Sequence, residues 1–441
     1  MTPGARIEGV IDLLGKIEAA HEPAERVVGA YMRGHRYIGS KDRRAISDRI
    51  YGALRRRARI DWWLARTGLG LGDGLDHPRR TVLVALALCD GLSAAEIAAL
   101  CDGGRYTPAP LSADEHAAIE ALAGESLDHA EQPPAIRTEV PAWLYPDVAA
   151  AFGEAAEAEM SALTGEAPVD LRINRLKGDR DAARAALAED KIDAVPTPHS
   201  PLGLRVPGRR NLSATRAYRE GLVEVQDEGS QIVALFTNAR PDHAVADVCA
   251  GAGGKTLALA AEMEGRGRLV ALDVDAARLQ RSVPRLRRAG VDAFVERRPL
   301  DDKAWLTAHA GTFDRVLVDA PCSGSGAWRR QPDARWRLTQ DDLARYLELQ
   351  AQAIDIGAKL VRQGGRVVYA TCSLLPAENE RQVETFLART LNFAVLPAAT
   401  VWAETFATAT PFDGPYLFLT PLGHGCDGFF AAVMERREDA P

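Results

Sequence analysis

No stretch of the 441 residues approaches the ~20 consecutive apolar positions that a membrane span needs. The longest candidate, Thr81 to Leu88, is far too short. Met1 to Lys16 shows no basic-then-apolar secretory pattern, so a cytoplasmic protein is expected. Cysteines number six, none paired as Cys-x-x-Cys, and no Cys/His cluster has zinc spacing. A disulfide framework and a structural metal are thereby excluded, and each cysteine is either core or a reactive thiol. No internal repeat is evident. Excess positive charge is also missing: the net charge is -7, which argues against indiscriminate coating of nucleic acid.

What is present is the balance of a folded, soluble chain, 46% hydrophobic and 26% charged. The length calls for two or three domains. Basic residues are grouped. Lys41 to Arg66 carries nine against three acidic residues, Arg205 to Arg219 carries five arginines and no acid, and Arg329, Arg330, Arg335 and Arg337 surround Asp333. Such clusters on a mildly acidic protein suit local phosphate contacts, although solvated helix faces carry similar runs.

Residues 1–130 read as helical, broken at Gly70-Leu71-Gly72, His77-Pro78 and Gly103-Gly104. Ile50, Tyr51, Leu54, Ile60 and Trp63 fall at helical spacing among arginines. Ser93 three residues before Glu96 is a capping-box signature. The Pro-rich stretch 132–146 reads as a linker. A small α/β segment follows, with a strand at Val169–Asn174, a helix at Asp181–Leu187, turns over Val195–Pro207 and a strand at Leu222–Val225. From about residue 240 the chain alternates strand, glycine-rich turn and helix. Strands are expected at 245–249, 268–273, 293–297, 313–319 and 366–370, and a helix over Leu343–Val361 is expected to stop at Gly364-Gly365. Alternation of this kind gives a parallel sheet, which binds ligands at the carboxyl ends of its strands. The expected division is 1–130, 131–238 and 239–437.

Three motifs fall at those ends. In Asp247-Val248-Cys249-Ala250-Gly251-Ala252-Gly253-Gly254-Lys255-Thr256, a nucleotide P-loop would need Gly at 249 and a dinucleotide fingerprint would need Gly at 256. Both fail. What remains resembles the first motif of class I methyltransferases, with Asp273 at the next strand end placed to accept ribose hydroxyls. The other two motifs are Asp319-Ala320-Pro321-Cys322-Ser323-Gly324 and Ala370-Thr371-Cys372-Ser373, the latter continuing to Glu378-Asn379-Glu380. They aim two thiols at one crevice. A thiolate suits chemistry at carbon 5 of cytosine: addition to carbon 6 makes an enamine whose carbon 5 is nucleophilic. A protonated Asp319 would serve the ring's N3, and Lys255 the ring or a phosphate.

Together with Trp328-Arg329-Arg330-Gln331-Pro332-Asp333, these motifs resemble the Sun/Fmu (RsmB-like) family of RNA 5-methylcytosine methyltransferases across the C-terminal half. Leu171-Arg172-Ile173-Asn174 and Gln226 to Gln231 are similar to its small RNA-binding-type (ferredoxin-like) segment, and Ser47 to Arg55 to its NusB-like helical domain. The resemblance implies an α/β class I (Rossmann-like) catalytic domain after that segment and an all-α start. It implies S-adenosylmethionine as cofactor, held by Cys249, Ala250, Gly251, Ala252, Gly253, Gly254, Lys255, Asp273, Asp319 and an acid after the third strand, chosen as Asp301 over Asp302. It implies Cys372 as nucleophile, with Cys322 resolving the covalent adduct and Asp319 assisting. Lys255, Arg329 and Arg330 are candidate RNA contacts, with Trp328 and Trp336 either lining the pocket mouth or packing in a core. Ribosomal RNA is the expected partner, with tRNA the alternative, for a monomer that needs no membrane or metal. A non-catalytic ribosome-assembly factor is the rival from another class. One departure stands out: the family usually has Ala-Pro where this chain has Gly251-Ala252, a more flexible turn expected to weaken cofactor binding.

Overall fold

The computed structural model describes all residues except 21, 71–75, 209 and 438–441. Leu71 and Gly72 of the expected break, and Arg209 of the second basic run, therefore lie outside the described residues. The chain divides into two compact units, Met1–Glu166 with Trp328–Leu338, and Ala167–Ala327 with Thr339–Pro441.

The first unit is all-helical. Helix Pro3–Ala19 carries Ile7, Val10, Leu13, Leu14 and Ile17 at helical spacing and buries them. They meet Ile46, Ile50 and Leu54 of Ser40–Arg55 and Val82, Leu83 and Leu86 of Asp76–Leu88 in one core. Ser93 and Glu96 form the expected capping box on Ala94–Leu100, and Ser112 with Glu115 forms another on Ala113–Ala121. The Pro-rich stretch is part of this unit. It forms helices Pro134–Arg137 and Tyr145–Phe152, and Val140 and Leu144 are buried.

The unit also takes in the distant segment Trp328–Leu338. The buried Arg335 guanidinium donates to the carbonyls of Glu139 (3.0 Å) and Leu163 (3.1 Å) and lies over the Trp328 ring. Asp333 accepts from the Ala24 amide at the start of helix Ala24–Gly34, and the Trp336 indole N–H donates to the Leu54 carbonyl.

The second unit holds two sheets. The smaller has β1 (Val169–Ile173), β2 (Val195–Pro196), β3 (Gly203–Val206) and β4 (Val223–Val225), in the antiparallel order β2-β3-β1-β4. The stretch expected to be turns thus contributes β2 and β3. The larger sheet has β5 (Ala244–Val248), β6 (Arg268–Asp273), β7 (Val295–Pro299), β8 (Phe313–Asp319), β9 (Val361–Thr371), β10 (Phe393–Leu396), β11 (Leu417–Leu419) and β12 (Phe429–Arg436). Its order is β10-β12-β9-β8-β5-β6-β7, with β11 on β12. The strands β7-β6-β5-β8-β9 run parallel, and β12 lies antiparallel between β9 and β10. This is the Rossmann-like arrangement of a class I methyltransferase. Val245, Ala246 and Val248 of β5, and Val316, Leu317 and Val318 of β8, are fully buried, as central parallel strands covered on both faces require.

One element differs from expectation. Helix Gln340–Leu360 ends on extended Val361, and β9 starts there. Gly364 (φ 68°) and Gly365 lie inside the strand, where its register with β8 shifts, instead of capping the helix.

Candidate active site

The sheet order reverses between β5 and β8: from β5 the chain moves outward through β6 and β7, then returns to β8 on the other side. Ligands bind at the carboxyl ends beside such a switch point. The loops there carry the motif residues.

After β5 the backbone turns sharply. Cys249 (φ 66°), Gly251 (φ 57°) and Gly253 (φ 78°) are all left-handed. A side chain on Gly253 would meet Ser282 Cβ at 2.9 Å, so glycine is required for both conformation and space. Cys249 pays strain for its conformation. Its thiol is pushed well above the usual range by burial and by the carboxylates of Asp273, Asp319 and Asp247, so it remains protonated. Beneath the turn Asp247 accepts from the Thr256 hydroxyl, and burial raises its carboxyl to about 7.

Asp273 ends β6, buried, one carboxylate oxygen accepting from the Gly251 amide and the other from the Asp275 amide, both at 2.8 Å. A carboxylate has acceptor capacity beyond two such bonds. The next residue, Val274, is 74% exposed, a large apolar side chain left in solvent beside a buried acid. After β7, Asp302 caps helix Lys303–Ala308 through the Trp305 amide, whereas Asp301 is exposed.

Lys255 and Asp319 join the loops. Lys255 Nζ lies 2.7 Å from Asp319 Oδ2 and over the Phe429 ring. Burial alone would lower the ammonium's pKa, but the Asp319 ion pair and the Cys372 charge outweigh it and hold it above the ordinary lysine value.

The two motif thiols meet. Cys322 Sγ is 3.4 Å from Cys372 Sγ. The Cys322 thiol is held well above its usual range, first by its hydrogen bond to Cys372 and then by burial and the Cys372 charge. Either sulfur can be the donor of the bond between them. The following serines also pair: Ser323 and Ser373 both donate to Glu378, and the Gly326 amide donates to the Cys372 carbonyl.

Cys249, Ala250, Gly251, Ala252, Gly253, Gly254, Lys255, Asp273, Asp319, Cys322 and Cys372 all lie at these strand ends. The Trp328-Arg329-Arg330 run belongs to the helical unit. Trp328 is 1% exposed and Arg329 5%, within the segment that packs into the helical unit. Trp328 is core packing, and the buried Arg329 side chain is not offered as a surface phosphate contact. Arg330 is exposed. Sequence reasoning missed Val274 and Glu378, and also Arg285 and Arg172. These two guanidiniums donate to the carbonyls of Ala252 (2.8 Å) and Gly254 (2.9 Å), gripping the flexible turn from outside.

Residues 234–435 match the sequence profile of the 16S rRNA methyltransferase RsmB/F family, and 140–213 match that of an RsmF/B-like ferredoxin-like domain. The chain is 36% identical to the ribosomal RNA small subunit methyltransferase B of Pseudomonas putida over 70% of its own length and 69% of that protein. This chain belongs to the RsmB/F family of RNA methyltransferases. The RsmB/F likeness also extends to a probable ribosomal RNA small subunit methyltransferase B of Synechocystis, 30% identical over 90% of this chain and 92% of that one. Two solved structures share the fold. PH0851 aligns over 99% of both chains at TM-score 0.76 and 24% identity. NSun6 from Pyrococcus horikoshii with SFG aligns over 68% of this chain and 99% of that one at TM-score 0.59 and 20% identity. Among the described residues no helix is long and apolar enough to cross a membrane, and no group of His, Cys, Asp and Glu has the arrangement of a metal site.

Proposed function

We propose that this RNA methyltransferase modifies carbon 5 of a cytosine in 16S rRNA through a transient bond between Cys372 Sγ and carbon 6 of the ring. The observation that carries the reading is the approach of the two sulfurs at adjacent strand ends, 3.4 Å apart.

The residues present fit S-adenosylmethionine. The left-handed glycine turn lets the backbone come close, buried Asp273 retains acceptor capacity for ribose hydroxyls, and exposed Val274 offers an apolar face for an adenine. Asp301 stands exposed past β7 for a further polar contact. When bound, the cofactor supplies an electrophilic methyl group on a sulfonium.

Cys372 adds to carbon 6, which makes carbon 5 nucleophilic. Lys255 provides positive charge beside that thiol, and Asp319, fixed by Lys255, faces the base. Cys322 is held protonated by its hydrogen bond to Cys372 and by burial. Once the Cys372 sulfur is bonded to the ring, its hydrogen bond and charge no longer raise the Cys322 thiol, although burial still does. Cys322 then releases its own proton to solvent more readily, and the resulting thiolate takes the carbon 5 proton. The freed electron pair re-forms the 5,6 double bond and expels Cys372 as thiolate. The target base must leave its stack to reach either sulfur, so an unpaired or opened cytosine is the substrate.

Substituting Cys372→Ala tests the assignment. Methyl transfer to 16S rRNA should vanish while calorimetric binding of S-adenosylmethionine is kept; an active variant would remove Cys372 from the mechanism. Transfer to tRNA, with none to 16S rRNA, would favour the alternative substrate. Bisulfite mapping identifies the nucleotide.

A further inference from the structure

Glu378 is wholly buried, yet the chemistry above makes no use of it. One carboxylate oxygen accepts from the Ser323 amide (2.8 Å) and from Gln350 Nε2 (2.9 Å). The other accepts from the hydroxyls of both Ser323 and Ser373. Ser323 follows Cys322 and Ser373 follows Cys372, so a single carboxylate holds the residue next to each thiol. Its own backbone is fixed as well. The Tyr369 hydroxyl donates to the Glu378 carbonyl, and Asn379 links Thr371 Oγ1 to the Ser373 carbonyl. Gln350 also donates to the Pro321 carbonyl, just before Cys322.

We propose that Glu378 is a positioning residue that sets the register of the two Cys-Ser loops and hence the separation of the two sulfurs. The proposal rests on the roles given to Cys322 and Cys372 above. No other carboxylate among the described residues is bonded to both loops. The pairing of β8 with β9 ends at Asp319 and Ala370, so beyond those points a few backbone bonds and the side-chain bonds set the loop positions. Apart from Glu378, the Gly326 amide bonds the Cys372 carbonyl and Ser325 bonds the Leu374 amide (2.8 Å) and the Ser373 hydroxyl (3.0 Å); the carboxylate adds attachments at the two residues that directly follow the thiols. Its charge has a second effect. The Cys322 thiol is raised first by its bond to Cys372 and by burial, and the Glu378 charge adds to them. Glu378 thus favours the protonated state of Cys322 during attack by its neighbour.

The test reads the sulfur separation without RNA or methyl donor. Diamide oxidises two adjacent thiols to a disulfide and is itself reduced to the hydrazine, and mass spectrometry follows the Cys322–Cys372 product. Glu378→Ala should slow that reaction by roughly tenfold or more, with a similar fall in kcat. Its S-adenosylmethionine affinity and RNA KM should stay within about twofold of the native values. Glu378→Gln, whose carbonyl keeps the Ser323 and Gln350 bonds and whose amide reaches the two hydroxyls, should restore the rate to within about threefold. Disulfide formation at the native rate in Glu378→Ala overturns the proposal. So does a loss that merely tracks lost cofactor binding and goes unrescued by Gln. If Glu378→Ala does not fold, Ser373→Ala severs one attachment and is held to the same outcomes. Because the crosslink needs no catalysis, it stands or falls separately from the Cys372→Ala assay.

Discussion

Lys255 Nζ and Asp319 Oδ2 are 2.7 Å apart, an ion pair that ties the first turn of the helix after β5 to the end of β8. The cofactor turn and the Pro-Cys loop are therefore electrostatically linked at their bases. Lys255→Met keeps the apolar stem over Phe429 and removes the charge. It should cut kcat by roughly a hundredfold. Iodoacetamide should also alkylate Cys372 more slowly at a given pH, because the neighbouring cation that favours thiolate is gone. Unchanged alkylation would remove Lys255 from thiol activation.

Cys322→Ala leaves Cys372 free to attack but without its partner for the carbon 5 proton. A protein–RNA adduct that survives denaturing electrophoresis should accumulate, and turnover should stop after one round. Turnover at the native rate, with no adduct, would assign the proton to another base.

The Gly251-Ala252 turn has more backbone freedom than Ala-Pro would have, and Arg285 takes up the difference by bonding the Ala252 carbonyl. Arg285→Ala should weaken S-adenosylmethionine binding by about three- to tenfold, the worth of one hydrogen bond of about 1 kcal/mol. Arg285→Lys should recover part of it. Calorimetry decides, and equal affinities would mean the turn is held well enough by its other bonds.

In the helical unit His77 sits between Asp61 and Glu18, whose hydrogen bonds raise it to about 9 against the opposing effect of burial. Its unfolded value is about 6.5. A raised folded pKa stabilises fully below the unfolded value, and that contribution is lost as pH rises through about 9. It amounts to at most about 3 kcal/mol. The stability gap between the native protein and His77→Gln, from urea titrations, should therefore be widest near pH 6 and close by pH 10. A gap independent of pH would show that His77 contributes by packing alone.

Much of the catalytic unit was legible in the residues because its signals are local. Glycines at 251, 253 and 254 between an apolar strand and a helix describe their own turn, and Cys322 and Cys372 follow strands β8 and β9, which are neighbours. Gly364-Gly365 misled because glycine serves helix caps and strand irregularities alike; only the pairing of β9 with β8 distinguishes them. Trp328 and Arg329 misled for a different reason. Their nearness in sequence to Cys322 hid their burial, because the partners of their segment, Ala24, Glu139 and Leu163, lie far along the chain. Glu378 stood in a quoted motif without a role, since nothing local announces that both serines converge on it.

The helical unit is built from both sides of the β1–β8 stretch, because residues 328–338 return to it after β8. A protease that nicks the chain near residue 166 would therefore not release an intact N-terminal fragment: the cut piece would keep hold of a strap belonging to the other fragment. Attempts to express the C-terminal half alone would strand Trp328 and Arg335 without their burial partners. Such a truncation calls for solubilising changes at those two positions before its failure is blamed on the missing RNA contacts.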